Sequence, residues 1–344
     1  MIIVNFLVLV AYFFLLGSLM VGWKNIFKQK EVSASKQVFI TILVPVRNEG
    51  ENISLLLNDL VQQDYTDFEI IVIDDHSEDD TGLIVKGLNS PIIKYITNQG
   101  HGKKQALTTG VSASRGNIIV TTDGDCRVGV HWLKSINNFF SDNDTMMLIG
   151  GVSISAFGNL LNKMQQIEFA SLIGTTASTL GLQHPTMCNG ANLAFRKQAF
   201  QEVNGYQGNE QIASGDDEFL MRKIVSRYKN GVKFLTSKHS VVSTQPQPNL
   251  ASLLQQRLRW AGKWRFNSSY VTLTLAFFIV VVQIITFYSY VELIFSTSLI
   301  YFFLIVMKVG LEAWLLKRYC NFLEIKWNWI AFLCLQLIYP LYVL

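Results

Sequence analysis

FITILVPV at residues 39–46 and FEIIVIDD at residues 68–75 are nearly continuous runs of apolar, largely β-branched residues. Two similar runs follow at 91–97 (PIIKYIT) and 117–125 (NIIVTTDGD), and a helix-compatible stretch separates each run from the next. Strands of a parallel sheet are covered on both faces, so they have this continuous pattern. The sequence therefore predicts an α/β fold with a doubly wound, mostly parallel sheet.

Aspartates stand where two of these predicted strands end. Asp74 and Asp75 close the second run, and Asp123 and Asp125 close the fourth. A single aspartate at a strand end is most often a turn former or a helix N-cap. Two such pairs in one short βαβ array favour a ligand site instead, because open α/β sheets bind ligands beyond the carboxyl ends of their strands. Carboxylates can hold a hard divalent cation against phosphate oxygens, which indicates chemistry on a sugar nucleotide.

The DGD segment is expected to leave its strand through a turn at Gly124. Such a turn lets the two carboxylates diverge, so that one reaches a metal ion and the other reaches the donor. Asp125 is therefore the predicted ligand of Mg2+ or Mn2+, and Asp123 is expected beside it on the donor and as a second metal ligand.

Between the two acidic pairs lies GHGKKQALTTG (100–110), whose small residues permit a close backbone approach. Lys103 or Lys104 is expected to contact a phosphate there, although a Gly-Lys turn that opens a helix is also common without a ligand. The five histidines show no metal-ligand spacing, and none is assigned to a metal. The four cysteines show no such spacing either and are predicted to be free thiols in a reducing compartment.

The apolar residues of this chain are concentrated at its two ends. Half of the 344 residues are hydrophobic and the mean hydropathy is +0.28, which predicts a membrane component beside one soluble domain. Four stretches are predicted membrane spans, at residues 2–22, 270–291, 295–315 and 327–344. A cleaved signal peptide is the alternative for the first span, but that run is longer than the usual ~7–15 residues and its basic residues follow it.

Clusters of lysine and arginine flank the predicted spans. They follow the first span, precede the second and separate the third from the fourth, so they lie on one side if every segment crosses. The positive-inside rule then predicts a multi-pass cell-membrane protein with a cytoplasmic soluble domain. Lys308 and Glu312 lie inside the third span, where a structural role is slightly favoured over a functional one. The clusters are Lys24, Lys28 and Lys30; Arg257, Arg259, Lys263 and Arg265; and Lys317, Arg318 and Lys326.

These patterns divide the chain into four predicted parts. Residues 1–23 form an anchor, 38–247 the soluble domain, 248–267 an amphipathic interfacial segment and 268–344 the C-terminal membrane helices. The interfacial segment mixes leucines and tryptophans with cations, which is typical of a helix at a membrane surface. The stretch 159–183 is also amphipathic, and membrane contact and core packing are both compatible with it. The net charge of +4 and the lack of a nucleic-acid motif argue against nucleic-acid binding.

The soluble domain and the interfacial segment resemble the family 2 glycosyltransferases in seven segments that occur in the family's order. They resemble, in turn, the nucleotide loop, the base-contacting acidic block, a GKxxALxxG segment, the DxD motif, the acceptor-side segment, the acidic motif that supplies the base, and QxxRW. The segments are ILVPVRNEGENI (42–53), IVIDDHSEDDT (71–81), GKKQALTTG (102–110), TTDGD (121–125), CNGANLAFRKQAF (188–200), SGDDEFLMRK (214–223) and QRLRW (256–260).

This resemblance implies a GT-A fold and an inverting hexosyltransferase that acts by direct displacement on a nucleoside-diphosphate sugar, with uridine as the expected nucleoside. It places Asp75 against the base of the nucleotide. It implies Asp217 as the general base, with Asp216 as second choice because the run Asp216-Asp217-Glu218 leaves the register open. The other implied donor and acceptor contacts are Pro45, Arg47, Glu49, Lys103, Lys104, Asp123, Asn189, Gly190, Gln256, Arg259 and Trp260.

The sequence alone does not identify the acceptor molecule. A membrane lipid or short glycan is favoured over a processive polysaccharide synthase, because about four spans are few for a polymer channel. A membrane nucleotidyltransferase is a further alternative, but it requires a glycine-rich basic loop where this chain has VPVRNEGEN (44–52). An inactive membrane scaffold is the third alternative, and the oligomeric state is not readable from the sequence.

Overall fold

The computed structural model of the chain describes residues 2–28, 37–141, 143–155, 158–209, 215–262, 270–296 and 299–343. The chain forms two compact units. The first, called the α/β unit below, consists of Ile26–Ser155 and Met187–Gln245. The second, called the helical unit, consists of Met1–Asn25, Ala156–Thr186 and Pro246–Leu344. Of the cations and motif segments given for the sequence, Lys30, Lys263, Arg265 and Ser214 lie outside the described ranges.

The α/β unit is built on one large sheet. Its strands are β1 (Ile40–Val46), β2 (Phe68–Asp74), β3 (Ile93–Thr97), β4 (Ile118–Thr121), β5 (Met147–Ile149), β6 (Val152–Ile154), β7 (Leu193–Arg196), β8 (Val232–Phe234) and β9 (Val242–Thr244). Seven of them form a sheet of order β3-β2-β1-β4-β7-β5-β8, and β6 pairs with β9. All neighbours in the large sheet are parallel except β7, which is antiparallel to β4 and to β5. The predicted α/β fold with a mostly parallel sheet is confirmed.

Helices connect these strands. Within the α/β unit they are α2 (Ile53–Val61), α3 (Thr81–Gly87), α4 (Lys103–Ala113), α5 (Trp132–Phe140), α7 (Lys197–Glu202) and α8 (Asp216–Arg227). The four runs predicted as strands correspond to β1 to β4. β2 is buried along its whole length and β1 along almost all of it, as expected for strands covered on both faces. Because Val46 pairs with Asp74 at the ends of parallel strands, the loops after β1 and β2 leave the sheet at the same edge.

The helical unit contains the long apolar helices. Its elements are α1 (Ile2–Ile26, apart from the last residue), α6 (Leu160–Gly181), α9 (Leu250–Gly262), α10 (Tyr270–Ser296), α11 (Leu299–Phe322) and α12 (Trp329–Val343). By length and composition, α1, α10 and α11 are able to cross a membrane. α12 is shorter, with 15 residues, and contains Pro340. α1 and α10 begin where predicted and end a few residues later, whereas α11 begins and ends later than its predicted span.

α6 belongs to the helical unit although the predicted soluble domain, 38–247, includes it. It packs against α11 and α12. Tyr319 of α11 lies against α6 at Gly174, where an added Cβ would overlap the ring, and its hydroxyl hydrogen-bonds Ser178 Oγ at 2.8 Å. Small residues on α6 thus permit close packing of a large aromatic side chain. The four predicted parts of the chain otherwise remain predictions.

The two charged residues in the middle of the apolar helix α11 are paired with each other. Lys308 Nζ lies 2.8 Å from Glu312 Oε1, and both side chains are buried. Tyr12 of α1 donates to Glu312 Oε1 at 2.5 Å, and Lys308 donates to Gln336 Oε1 of α12 at 3.1 Å. Because buried charges are costly unless paired and hydrogen-bonded, this network supports the predicted structural role.

Candidate active site

The loops after β1, β2 and β4 meet at the carboxyl edge of the sheet. The amide of Glu49, after β1, donates to Thr81 Oγ1, at the start of α3, at 2.8 Å. Gly124 lies in a turn, as predicted for DGD, and an added Cβ would be 2.9 Å from Glu49 Cγ. Pro45 lies within β1, and Arg47 is exposed in the loop that follows. The three loops therefore form one continuous surface.

Asp75, at the end of β2, fixes the start of α4. Its Oδ1 accepts a hydrogen bond from Asn98 Nδ2 at 2.7 Å, and its two oxygens share the amide of Gly102 at 3.0 and 2.8 Å. Gly102 has a φ of 87°, a conformation that glycine adopts without strain. Since Asp75 is only 7% exposed, this contact sets the position from which the Lys103 side chain extends.

His76 and His101 lie together beside Asp75, although they are far apart in the sequence. Their ring centroids are 4.6 Å apart, and His76 Nε2 hydrogen-bonds the carbonyl oxygen of Gly100 at 3.0 Å. One ligand atom from each of Asp75, His76 and His101 lies within 4.8 Å of the others, and within the described ranges this is the one trio of His, Cys, Asp or Glu that converges in this way. Imidazole suits borderline transition metals better than Mg2+. The sequence spacing gave no sign of this group.

Lys103 joins the DGD segment to the acidic motif of α8. Its Nζ forms an ion pair with Asp123. An added Cβ at Gly190 would lie 3.6 Å from Lys103 Nζ, 3.7 Å from Asp217 Cβ and 3.8 Å from Asp216 Oδ2, so these side chains surround one point. Burial alone would lower the pKa of Lys103, but the three carboxylates around it outweigh burial and raise the pKa. The ammonium group therefore stays charged at neutral pH.

Asp217 is oriented by two backbone amides. The amide of Gly190 donates to Asp217 Oδ2 at 3.0 Å, and the amide of Glu218 donates to Oδ1 at 2.8 Å. The carbonyl oxygen of Gly190 in turn accepts a hydrogen bond from Thr121 Oγ1, at the end of β4, at 2.7 Å. Asp216 is also buried, at 8% exposure. The Gly190 peptide segment therefore links the acidic motif to the sheet edge.

Asp125 is a half-buried carboxylate in a cluster of like charge. Its Oδ2 accepts a hydrogen bond from Thr244 Oγ1 at 2.9 Å. Burial, and then the charge of Asp123, raise the pKa of Asp125. Burial also raises the pKa of Glu49, and the charges of Asp125 and Asp123 add to that effect. Oxygen donors that repel one another in a buried place fit a hard divalent cation such as Mg2+ or Mn2+, so the residues present fit the expected ion.

Two of the predicted contacts have other partners in the structure. Lys104 Nζ donates to the carbonyl oxygen of Asn209 at 2.6 Å, so it anchors the turn region before α8. Asn189 Oδ1 accepts a hydrogen bond from the amide of Ala191 at 2.9 Å and caps a short 3-10 turn. Their roles in donor binding remain predictions.

The remaining predicted contacts, Gln256, Arg259 and Trp260, belong to the helical unit. Gln256 and Trp260 are half-buried on α9, and Arg259 is exposed. The ring of Trp260 lies 6.2 Å, centroid to centroid, from that of Phe169 on α6. The predicted interfacial segment is thus a helix over Leu250–Gly262, as its composition indicated.

Three residues of the α/β unit were missed by sequence reasoning. Asn98 holds Asp75, and Thr244 holds Asp125. Tyr206 is buried, and burial together with the charges of Asp216 and Asp217 raises its pKa. Asn98 directly follows β3, so the same strand-end rule that identified the aspartates could have found it. Thr244 and Tyr206 come from distant segments and carry no such signal. The four cysteines are free, as predicted.

Residues 41–203 match the family described as Glycosyl transferase family 2. The chain carries a family 2 glycosyltransferase domain. The matched region runs from β1 through the start of the turns before α8 and therefore includes Asp75, Asp123 and Asp125. By class the protein is a glycosyltransferase, as predicted.

Two curated relatives are similar in sequence to this glycosyltransferase. Glycosyltransferase AglE of Haloferax volcanii is 25% identical over 237 residues, which are 64% of this chain and 71% of that protein. Poly-beta-1,6-N-acetyl-D-glucosamine synthase of Staphylococcus aureus is 28% identical over 239 residues, which are 68% of this chain and 56% of that protein. The chain thus spans little more than half the length of the staphylococcal relative.

A solved structure shares the fold over nearly the whole chain. It is the mannosyltransferase PcManGT of Pyrobaculum calidifontis, in complex with GDP-Man and Mn2+. The TM-score is 0.61 and the sequence identity 18%, with coverage of 98% of this chain and 99% of that one. The likeness supports the GT-A architecture of the glycosyltransferase and extends to its apolar helices.

Proposed function

We propose that this glycosyltransferase moves a sugar, with inversion, from a nucleoside-diphosphate sugar to a hydroxyl of a membrane lipid or a short lipid-linked glycan. The observation that carries the proposal is the convergence of Lys103 with three carboxylates beside the half-buried Asp125, at the carboxyl edge of a family 2 domain. A cation-lined, acid-rich edge of this kind suits a diphosphate, a divalent ion and a general base together.

Each group has one task in the proposed reaction. Asp75 accepts hydrogen bonds from the base of the nucleotide, and Lys103 faces the diphosphate. Asp125 and Asp123 hold Mg2+ or Mn2+, which when bound neutralises the charge that develops on the leaving diphosphate. The acceptor oxygen forms a bond to the anomeric carbon while the bond from that carbon to the β-phosphate oxygen breaks. The electron pair leaves with the nucleoside diphosphate, and the hydroxyl proton moves to the Asp217 carboxylate.

The geometry at Asp217 supports its role as base. Two backbone amides hold the carboxylate in one orientation, and preorganisation of this kind lowers the barrier to proton transfer. Asp216 has no such pair of amide contacts among the hydrogen bonds seen in the described ranges, and it faces Lys103. Asp216 is therefore the less suitable base and the better partner for the Lys103 ammonium.

Uridine is the proposed nucleoside, on the strength of the motif resemblance. Guanosine is the competing choice, because the structural neighbour named above binds GDP-Man. The proposed location is the cell membrane with the α/β unit on the cytoplasmic side, where nucleotide sugars are made. Three apolar helices of sufficient length and the basic clusters at their ends support it.

A processive synthase is the second candidate. The 28% identity to a poly-N-acetylglucosamine synthase favours it. A single transfer is favoured by the number of long apolar helices. The described residues contain three of them, and three helices that cross a bilayer enclose little space for a polymer.

A product assay separates these candidates. Membranes containing the protein are incubated with radiolabelled UDP- and GDP-sugars and Mn2+, and the products are extracted with organic solvent. We expect a metal-dependent, solvent-soluble product of low molecular weight and release of nucleoside diphosphate. A solvent-insoluble polymer would establish the processive alternative, and release of pyrophosphate would establish a nucleotidyltransferase.

Asp75→Asn is expected to raise the KM for the donor about tenfold, with a smaller change in kcat, because a hydrogen bond to a charged group contributes roughly 1.5–3 kcal/mol. The new amide also places an N–H against the amide of Gly102, which loosens the start of α4. Initial rates over a range of donor concentrations give the KM and kcat of the Asp75→Asn variant. The control is Asp59→Asn, which breaks an ion pair with Arg127 elsewhere in the same unit. An unchanged donor KM in Asp75→Asn would remove Asp75 from the donor site.

A further inference from the structure

A buried ion pair joins α6 to α9 in the helical unit. Arg257 Nε lies 3.0 Å from Glu168 Oε1, and Arg257 Nη2 lies 2.9 Å from Glu168 Oε2. The side chains are only 11% and 9% exposed. Two parallel N–H to oxygen bonds fix the plane of the guanidinium group as well as its position. Neither residue has a task in the reaction proposed above.

The same guanidinium group also contacts two side chains of the QxxRW segment, the indole of Trp260 and the amide of Gln256. Its Cζ lies 4.2 Å from the ring centroid of Trp260, one helical turn further along α9. Its Nη1 donates to Gln256 Oε1 at 2.6 Å. Phe169, next to Glu168, approaches Trp260 at 6.2 Å between ring centroids. Arg257 thus holds Gln256 and Trp260, while Glu168 holds Arg257.

We infer that Glu168 and Arg257 are positioning residues that set the orientation of Gln256 and Trp260 for the acceptor. This inference rests on the proposed function and on the resemblance of residues 256–260 to QxxRW, which implies that Gln256 and Trp260 contact the acceptor. The resemblance of residues 256–260 to QxxRW assigns no task to Arg257, and nothing in the motif points to Glu168 on α6. The pairing is visible only once α6 and α9 are packed together.

The chemistry of the Glu168–Arg257 pair explains why neither residue can be replaced by one of similar size or charge. A lysine at position 257 keeps the charge but has neither the planar fork that binds a carboxylate through two bonds nor a flat surface to stack on an indole ring. A glutamine at position 168 keeps the size but leaves the guanidinium without a counter-charge in a buried place. Arg257→Lys therefore removes the surface on which the Trp260 ring stacks, and Glu168→Gln leaves that surface without the carboxylate that holds it in place.

The test compares Glu168→Gln and Arg257→Lys with wild type in the full-length membrane protein. We expect kcat to fall about 10- to 100-fold, because a misplacement of about 1 Å at a substrate-positioning group has effects of this size. The KM for the donor should stay within twofold, since the donor contacts belong to the α/β unit. The fluorescence of Trp260, taken as the difference between each protein and its own Trp260→Phe variant, should shift in both variants.

Glu312→Gln is the matched control. It also removes one partner of a buried ion pair in the helical unit, but its partner Lys308 contacts neither Gln256 nor Trp260 in the described structure. We expect Glu312→Gln to lower the thermal unfolding midpoint by an amount comparable to Glu168→Gln and to leave kcat near the wild-type value. The inference is overturned if Arg257→Lys retains full kcat, or if Glu168→Gln and Glu312→Gln lower kcat alike. It is also overturned if the Trp260 signal is unchanged, a readout that is independent of whether any sugar is transferred.

Discussion

Asp217→Asn is expected to lower kcat about 10³-fold, since a positioned general base contributes roughly 10²–10⁴ to the rate. Asparagine has nearly the same shape, and its carbonyl oxygen can still accept the hydrogen bond that the Gly190 amide donates to Asp217. The amide cannot take up the proton of the attacking hydroxyl group at neutral pH. Donor binding should therefore be nearly unchanged, and single-turnover transfer of a radiolabelled sugar measures the loss directly.

Two neighbouring variants make this result specific. Glu218→Gln breaks an ion pair with Arg222 on the same helix and should leave kcat within a few-fold of wild type. Asp216→Asn should reduce the rate less than Asp217→Asn, because it alters the surroundings of Lys103 and leaves the base in place. If Asp216→Asn is the more damaging of the two, Asp216 is the base and the register of the acidic motif shifts by one residue.

Asp125→Asn is expected to abolish the response to Mn2+ and to lower kcat/KM about 10²- to 10³-fold, because a catalytic metal ion supplies several kcal/mol of charge stabilisation. Calorimetric titration of Mn2+ in the presence of nucleoside diphosphate reports the loss of binding separately from activity. The control is Asp64→Asn, an acid of the same unit that pairs with His131. Tight Mn2+ binding by Asp125→Asn would assign the ion to other ligands.

The raised pKa of Asp125 adds a pH dependence to this result. The ion binds the deprotonated carboxylate, so protons compete with it below the pKa. Because burial and Asp123 raise that pKa, Mn2+ affinity in the wild type should begin to fall at a higher pH than for an ordinary aspartate. Glu49, whose pKa is also raised, contributes to the same trend. Calorimetric titrations of the wild type with Mn2+ at a series of pH values measure this dependence.

The sequence predicted the parallel part of the sheet because long Val/Ile runs have no other stable place than a covered strand. β1, β2 and β4 are of this kind, whereas β3 lies at the edge of the sheet and has no fully buried residue. The other strands of the large sheet, β5, β7 and β8, have only three or four residues each. Such short segments have no periodicity of their own and become strands only through pairing with neighbours. The antiparallel insertion of β7 between β4 and β5 was therefore not predictable from local patterns.

The candidate site was predictable to the extent that its residues follow strands. Asp75, Asp123 and Asp125 lie at strand ends, and all three are at the expected edge. The contacts made by Lys103, His76 and Thr244 depend on loops that fold over that edge, so no spacing rule reveals them. The grouping of α6 with the long apolar helices was also hidden, because small and polar residues occupy more of its buried positions than large apolar residues do.

The placement of α6 has a practical consequence for anyone who wishes to study catalysis without detergent. Cutting the chain at residues 38 and 247 retains α6 but discards α11 and α12, which pack against it, with Tyr319 of α11 lying at Gly174 and Ser178. The exposed flank of that orphaned helix would drive aggregation in water. A soluble fragment is better obtained when removal of the two ends is combined with replacement of residues 156–186 by a flexible bridge.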